Sequence, residues 1–166
     1  MSTNVLAGPA EVHIDDSAIG ETEGGITCTF TPEVHEINID RYGAGVCAIR
    51  HSGETAAFTV PWDEWTAATM AKIYTSGNDQ TAAMTAPYIG IGRTAGFIYT
   101  GKDVKIKPIL TAEVAKFAQI YKGVPLGELS IGFANDNNRV FEREFRAILD
   151  TAKTDGEMLG KVAVAA

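Results

Sequence analysis

Apolar and polar positions alternate with a period of two along much of the chain. Ile26, Cys28, Phe30 and Val34 fall on one side of an extended segment, and Thr27, Thr29, Thr31, Glu33 and His35 on the other. Successive side chains of a strand point to opposite faces, so the pattern predicts a half-buried strand. Past His35 the phase slips by one: Ile37 and Ile39 continue the apolar side, and Glu36, Asn38 and Asp40 the polar side. A one-residue slip flips every side chain unless a bulge absorbs it, which predicts a bend there. Pro32 cannot donate to a ladder and belongs at an edge or at that bend. Shorter alternations predict strands over residues 10–15, with Val12 and Ile14 on one side, and 55–60, with Ala56, Phe58 and Val60. Residues 102–110 set Val104 and Ile106 against Asp103, Lys105 and Lys107, a strand with a partly basic outer face.

The second half is more mixed. Residues 87–99, broken by Gly90, Gly92 and Gly96, read as a glycine-punctuated strand or hairpin. Residues 112–123 score as helix by propensity, yet Val124-Pro125-Leu126-Gly127 suits a strand leading into a turn. Asn135-Asp136-Asn137-Asn138 predicts a hairpin turn between strands at 129–133 and 139–150. In the latter, Phe141, Phe145, Ala147 and Leu149 share a face that Arg143 interrupts.

One segment changes period. Pro61 suits a first helical turn, Asp63 and Glu64 suit the positive end of a helix, and Ser76-Gly77-Asn78-Asp79 closes it. Trp62, Trp65, Met70 and Ile73 fall broadly on one side, predicting a helix over 61–74 whose tryptophans are core residues rather than a sugar-stacking pair. Residues 41–53 carry three glycines and little alternation, so they read as a long loop or an extended ribbon. Val46, Cys47, Ala48 and Ile49 are apolar for a solvated loop, which points to a partner that covers them.

The 166 residues fit one domain, 1–166, with an arm at 1–8, the long loop at 41–53 and a mixed tail at 151–166. Hydrophobic residues make up 45%, enough for a core, and 17 glycines with frequent turn clusters favour strands over a helical bundle. The expected fold is mainly β, a sandwich or partly closed barrel with one flanking α-helix. A net charge of -7 argues against a nucleic-acid-binding surface, which needs clustered Lys and Arg. No apolar run approaches the roughly 18–20 residues of a membrane span, and the N-terminus lacks a signal-peptide pattern. A cytoplasmic chain is therefore expected, with Cys28 and Cys47 as free thiols and Cys28 as a small core residue.

The ionisable residues suggest no catalysis. His13, His35 and His51 lie in different elements, and Glu21 and Glu23 share a turn. No His-Glu-x-x-His, Gly-x-Ser-x-Gly or paired-cysteine motif occurs, and the Gly-x-Gly at 90–92 lacks the Gly-Lys-Ser/Thr ending of a phosphate loop. No catalytic residue, metal site or cofactor is expected.

Residues 20–42, with Gly8-Pro9-Ala10, Pro61 and Phe145-Arg146-Ala147-Ile148-Leu149-Asp150, resemble the major tail (tail tube) proteins of long-tailed bacteriophages. The likeness covers most of the chain in order and at similar spacing. It implies self-association into hexameric rings whose sheets join into one barrel, and rings stacked into a hollow tube through which viral DNA passes without specific binding. The further partners implied are tail terminator, tape measure and tail tip proteins, in a virion tail assembled in the host cytoplasm. Family stacking contacts come largely from the long loop and terminal arms, which here points to Asp40, Arg41, Tyr42, Val46, Cys47, Ile49 and Arg50. The acidic balance and the task of letting DNA pass suggest an acidic lumen, with Glu33, Glu36 and Asp40 as candidates and the Lys105–Lys107 face turned outward or to a subunit contact. The alternatives are a soluble β-sandwich module binding carbohydrate or protein, and the inner tube of a contractile tail or type VI secretion system.

Overall fold

A computed structural model describes residues 9–20, 22–38, 41, 45–63, 66–74, 78–79, 89–92, 94–109, 115–129 and 141–164. The elements in order are β1 (Ala10–Ile14), β2 (Ser17–Ala18), β3 (Thr27–Asn38), β4 (Val46–Trp62), α1 (Ala67–Ile73), β5 (Asn78–Asp79), β6 (Ile89–Gly90), β7 (Lys102–Pro108), β8 (Phe117–Leu126), β9 (Phe141–Ala147) and β10 (Gly160–Ala163). Eight strands form one antiparallel sheet in the order β2-β1-β7-β8-β9-β4-β3, with β10 also paired to β8. β9 and β10 follow one another along β8: Gly123 to Leu126 face β9, while Phe117 to Ile120 face β10.

The sheet does not close, and it ends at β2 on one side and β3 on the other. The expected sandwich or partly closed barrel is therefore corrected to a single open sheet with almost no helix. The other ladder among the described residues, β5 with β6, pairs only two residues of each strand and cannot form a second layer. One face of the sheet is apolar. Val12, Ile14, Phe58, Val60, Val104, Ile106, Ile120, Phe141 and Phe145 bury there with Trp62 and with Met70 and Ile73 of α1. These positions are those that alternation assigns inward in β1, β4, β7 and β9. β1 turns into β2 through Asp15 and Asp16, both at positive φ (51° and 60°), as a two-residue hairpin of this hand requires.

The helix is shorter than predicted. It starts at Ala67, not Pro61, because Pro61 and Trp62 finish β4 opposite Glu142 and Phe141. Trp62 is 0% exposed as a strand residue. Thr66 then supplies the cap, its hydroxyl oxygen accepting from the Thr69 N–H at 3.1 Å. The first turn contains no acidic residue, and Glu64 and Trp65 lie outside the described residues.

The predicted phase slip in β3 is also corrected. From Glu33 to Val34 the partner jumps from Gly53 to His51, and from Ile37 to Asn38 it jumps from Ala48 to Val46. The extra residues, Ser52 and Cys47, therefore belong to β4. β3 keeps strict alternation, and Ile37 stays on the face of Glu33 and His35. Both faces of this ribbon are exposed, so no core forces its apolar residues to one side.

The ambiguous segment is strand β8, ended by Gly127 at φ 85°. Of residues 41–53, expected as a loop or ribbon, Val46 to Gly53 are strand. Residues 87–99 contain only the two-residue β6 as strand among those described. The tail expected at 151–166 instead returns as β10. The hairpin turn at 135–138 and the arm at 1–8 lie outside the described residues.

Candidate assembly surface

β3 and β4 are far longer than their neighbours. β9 pairs with β4 only from Ala57 to Trp62, so the rest of β4 and most of β3 run on as a two-stranded ribbon. All of β3 is exposed, as is β4 from Val46 to Ser52. Register assigns the ribbon's faces. Phe30, Val34, His51, Ile49 and Val46 continue the apolar face of the sheet, beyond the part that α1 helps bury. Thr29, Thr31, Glu33, His35, Ile37 and Arg50 continue the opposite, outer face. Val34, Val46 and Ile49 are 55%, 47% and 64% exposed. The result is an uncovered apolar stripe on a two-stranded support, a surface that normally marks an interface.

Of the residues singled out for stacking, Val46, Cys47, Ile49 and Arg50 lie together at the ribbon's far part, and Arg41 is exposed. Asp40 and Tyr42 lie outside the described residues. The three lumen candidates do not form one set. Glu33 opposes Gly53 on the outer face, Glu36 opposes Ile49 on the apolar face, and Asp40 is not described.

The outer face is mixed in charge. Following the register from β1 to β3, it carries Glu11, Asp103, Glu142, Glu144 and Glu33 alongside Lys105, Lys107, Lys161, Arg146 and Arg50. Lys105 and Lys107 therefore share the face of Glu33 rather than standing apart from it. Several of these cations are already engaged. Lys105 pairs with Asp16 at 3.0 Å and holds that carboxyl below its usual range, and Lys161 lies 5.6 Å from the Phe117 ring and 6.0 Å from that of Tyr121.

Behind the ribbon lies an open cleft of about 820 Å³. Its ribbon wall carries Phe30 of β3 with His51 and Glu54 of β4, and its other wall is the return into β10, with Leu149, Asp155, Glu157, Met158 and Val162. The cleft exists because β10 continues the slot of β9 along β8, next to β4, yet pairs only with β8. Sequence reasoning missed this wall. The alternation of Lys161 and Ala163 with Val162 and Val164 was the available signal, and it is only four residues long.

Arg143 is the one buried cation of the sheet among the described residues. Its guanidinium donates to the carbonyl oxygens of Gly127 at 2.6 Å and Pro125 at 3.3 Å, and lies 5.5 Å from the Tyr74 ring. Desolvation lowers its pKa. It ties the exit of β8 to β9, which is a structural role. Trp62, the other large polar-tipped residue of this face, is fully buried and unavailable to a sugar.

The histidines stay apart, as their sequence positions suggest: His13 contacts Glu11 at 3.2 Å, while His35 and His51 occupy opposite faces of the ribbon. Among the described residues no cluster of three His, Cys, Asp or Glu could hold a metal ion. Cys28 is exposed on an edge strand rather than buried in the core, although partial burial pushes its thiol up to about 11. No protein-family model matches the chain, and no curated protein does.

Proposed function

We propose that the chain is a structural virion protein, the subunit of the hollow tail tube of a long-tailed bacteriophage. The observation that carries this reading is the β3–β4 ribbon. It projects from an open sheet, bears an exposed apolar stripe, and among the described residues forms one of the two edges of the sheet. Free edges and apolar stripes are liabilities in a monomer, and self-association removes both. On this reading six copies join sheet to sheet into a ring, the ribbons reach the next ring, and DNA passes through the stack. Tail terminator, tape measure and tail tip proteins meet the ends of the tube, and no cofactor or catalytic step is involved.

The test is light scattering over a range of concentration and salt, followed by electron microscopy. Rings or tubes are expected. A strict monomer under every condition refutes the proposal. The carbohydrate-binding alternative has less support, since the buried Trp62 removes one of its two candidate stacking residues.

A further inference from the structure

We infer that the cleft between β4 and β10 is the receptor for the ribbon end of a second copy of this chain. This rests on the self-assembly reading and specifies the contact it would use. The cleft offers two chemically different walls. The β10 side presents Leu149 and Val162, 60% and 57% exposed, together with Met158. Its rim carries three carboxylates, Glu54, Asp155 and Glu157, against one lysine, Lys161. The β4 strand of the ribbon end is complementary, with Glu36 of β3 beside Ile49 on the same face. Val46 and Ile49 project from one face, while Arg50, the only charged residue from Val46 to Arg50, projects from the other.

A ribbon entering edgewise meets both walls at once. Its Val46 and Ile49 cover Leu149, Met158 and Val162, and its Arg50 reaches Glu54 across the cleft. The chain's own ribbon cannot do this, because the base of that ribbon is one of the walls. The docked ribbon must therefore come from another molecule. Donor and acceptor surfaces differ, so copies that do not exchange ribbons reciprocally make a heterologous contact, whose repetition propagates into a ring or an open stack. The bulges at Ser52 and Cys47 bend the free edge of β4 and discourage indiscriminate strand pairing, leaving side-chain complementarity to choose the partner.

Cys47, exposed at the ribbon end, provides a direct probe. In a Cys28→Ser background, Asp155→Cys, Glu157→Cys and Val162→Cys are introduced one at a time, and the assembled full-length protein is mildly oxidised. A disulfide needs Cα atoms about 4.4–6.8 Å apart, so it reports proximity strictly. A ladder of disulfide-linked multimers is expected from at least one of the three variants, and its loss when Cys47→Ser is added. In parallel, Arg50→Glu should raise the concentration needed for assembly by about tenfold or more, and adding Glu54→Arg should recover most of that loss. Assembly that proceeds without any ladder and is indifferent to Arg50→Glu overturns the cleft as receptor while leaving self-assembly standing. Absence of assembly by the unaltered protein overturns both.

Discussion

Replacing Ile49 with threonine separates a packing role from an assembly role. Threonine keeps the β-branched shape that strands favour, so the ribbon's backbone preference is little changed. Fully burying an isoleucine side chain contributes about 1.5–3 kcal/mol. Ile49 is 64% exposed, so roughly two thirds of that gain, about 1–2 kcal/mol, is still to be realised when a partner covers it. Threonine retains one methyl group, and the expected loss is about 1 kcal/mol per contact, or roughly fivefold in association constant. Adding Val46→Thr should bring the loss to about 2 kcal/mol, roughly thirtyfold, provided the two sites act independently. The subunit's own stability should barely change, because substitutions at exposed positions usually stay within about 0.5 kcal/mol, or under about 2 °C in Tm for a chain of this size. Thermal melts at low concentration and light scattering across a concentration series measure the two quantities separately. A fall in Tm of more than about 5 °C with an unchanged assembly threshold would show that the stripe packs within its own subunit, and the reasoning would fail.

Other substitutions probe the core and its charges. Trp62→Ala should cost about 3–5 kcal/mol in urea unfolding, because the indole is completely buried, and a loss under about 1 kcal/mol would contradict that placement. Arg143→Ala leaves the Pro125 and Gly127 carbonyls without their donor and should cost about 2–3 kcal/mol, with Arg143→Lys intermediate; equal stability of all three forms would refute the tie. Cys28, with its thiol near 11, should alkylate at pH 8 roughly a hundredfold more slowly than an ordinary cysteine, with the rate still rising past pH 10; a plateau near pH 9 would refute this. Asp150 accepts from Lys122 at 2.9 Å and from the Ala152 N–H, and these hydrogen bonds hold its carboxyl below the usual range. A folded pKa below the unfolded one gives stability that is present above the ordinary carboxylate range near about 4 and is lost as pH falls through the depressed value. Asp150→Asn should therefore flatten the acid limb of the stability curve below about pH 4, and an unchanged limb would refute the assignment.

What the sequence made legible is the part of the sheet that a core anchors. Val12 and Ile14, Phe58 and Val60, Val104 and Ile106, and Phe141 and Phe145 alternate because a one-residue slip in any of these strands would expose its apolar set. The same alternation placed Arg143 inward, but not what makes that tolerable, since its acceptors lie 16 and 18 residues away in sequence. The ribbon was harder to read. With both faces solvated, its apolar residues carry no fixed phase: the slip expected past His35 does not occur in β3, and the register shifts at Glu33/Val34 and Ile37/Asn38 are absorbed by β4. The helix starts later than expected because proline fits both a first helical turn and a late strand position, and only the pairing of Pro61 and Trp62 with Glu142 and Phe141 decides between them. The cleft depends on which strand neighbours which, and β10 is too short for periodicity to announce it.

If the proposed tube forms, the division of the sheet into an anchored half and a projecting half also limits how its bore is charged. If copies joined with their covered face outward, the outer face would look inward, and that face is not acidic. Lys105, Lys107, Lys161, Arg146 and Arg50 stand on it with Glu11, Asp103, Glu142, Glu144 and Glu33. Several of the cations are held close to partners: Lys105 by Asp16, Lys161 over Phe117 and Tyr121, and Arg146 by Glu144 at 3.0 Å. A lysine or arginine so engaged is less free to neutralise a phosphate, which is the step that releases counterions and drives DNA binding. On the tube reading, a mixed face several of whose positive charges are engaged within the subunit lets DNA slide without a uniformly repulsive wall. The surplus of carboxylates in a chain of net charge -7 then need not line the bore. Some of them, Glu54, Asp155 and Glu157, stand instead on the rim of the cleft, where the proposed contact uses them to select an arginine-bearing ribbon.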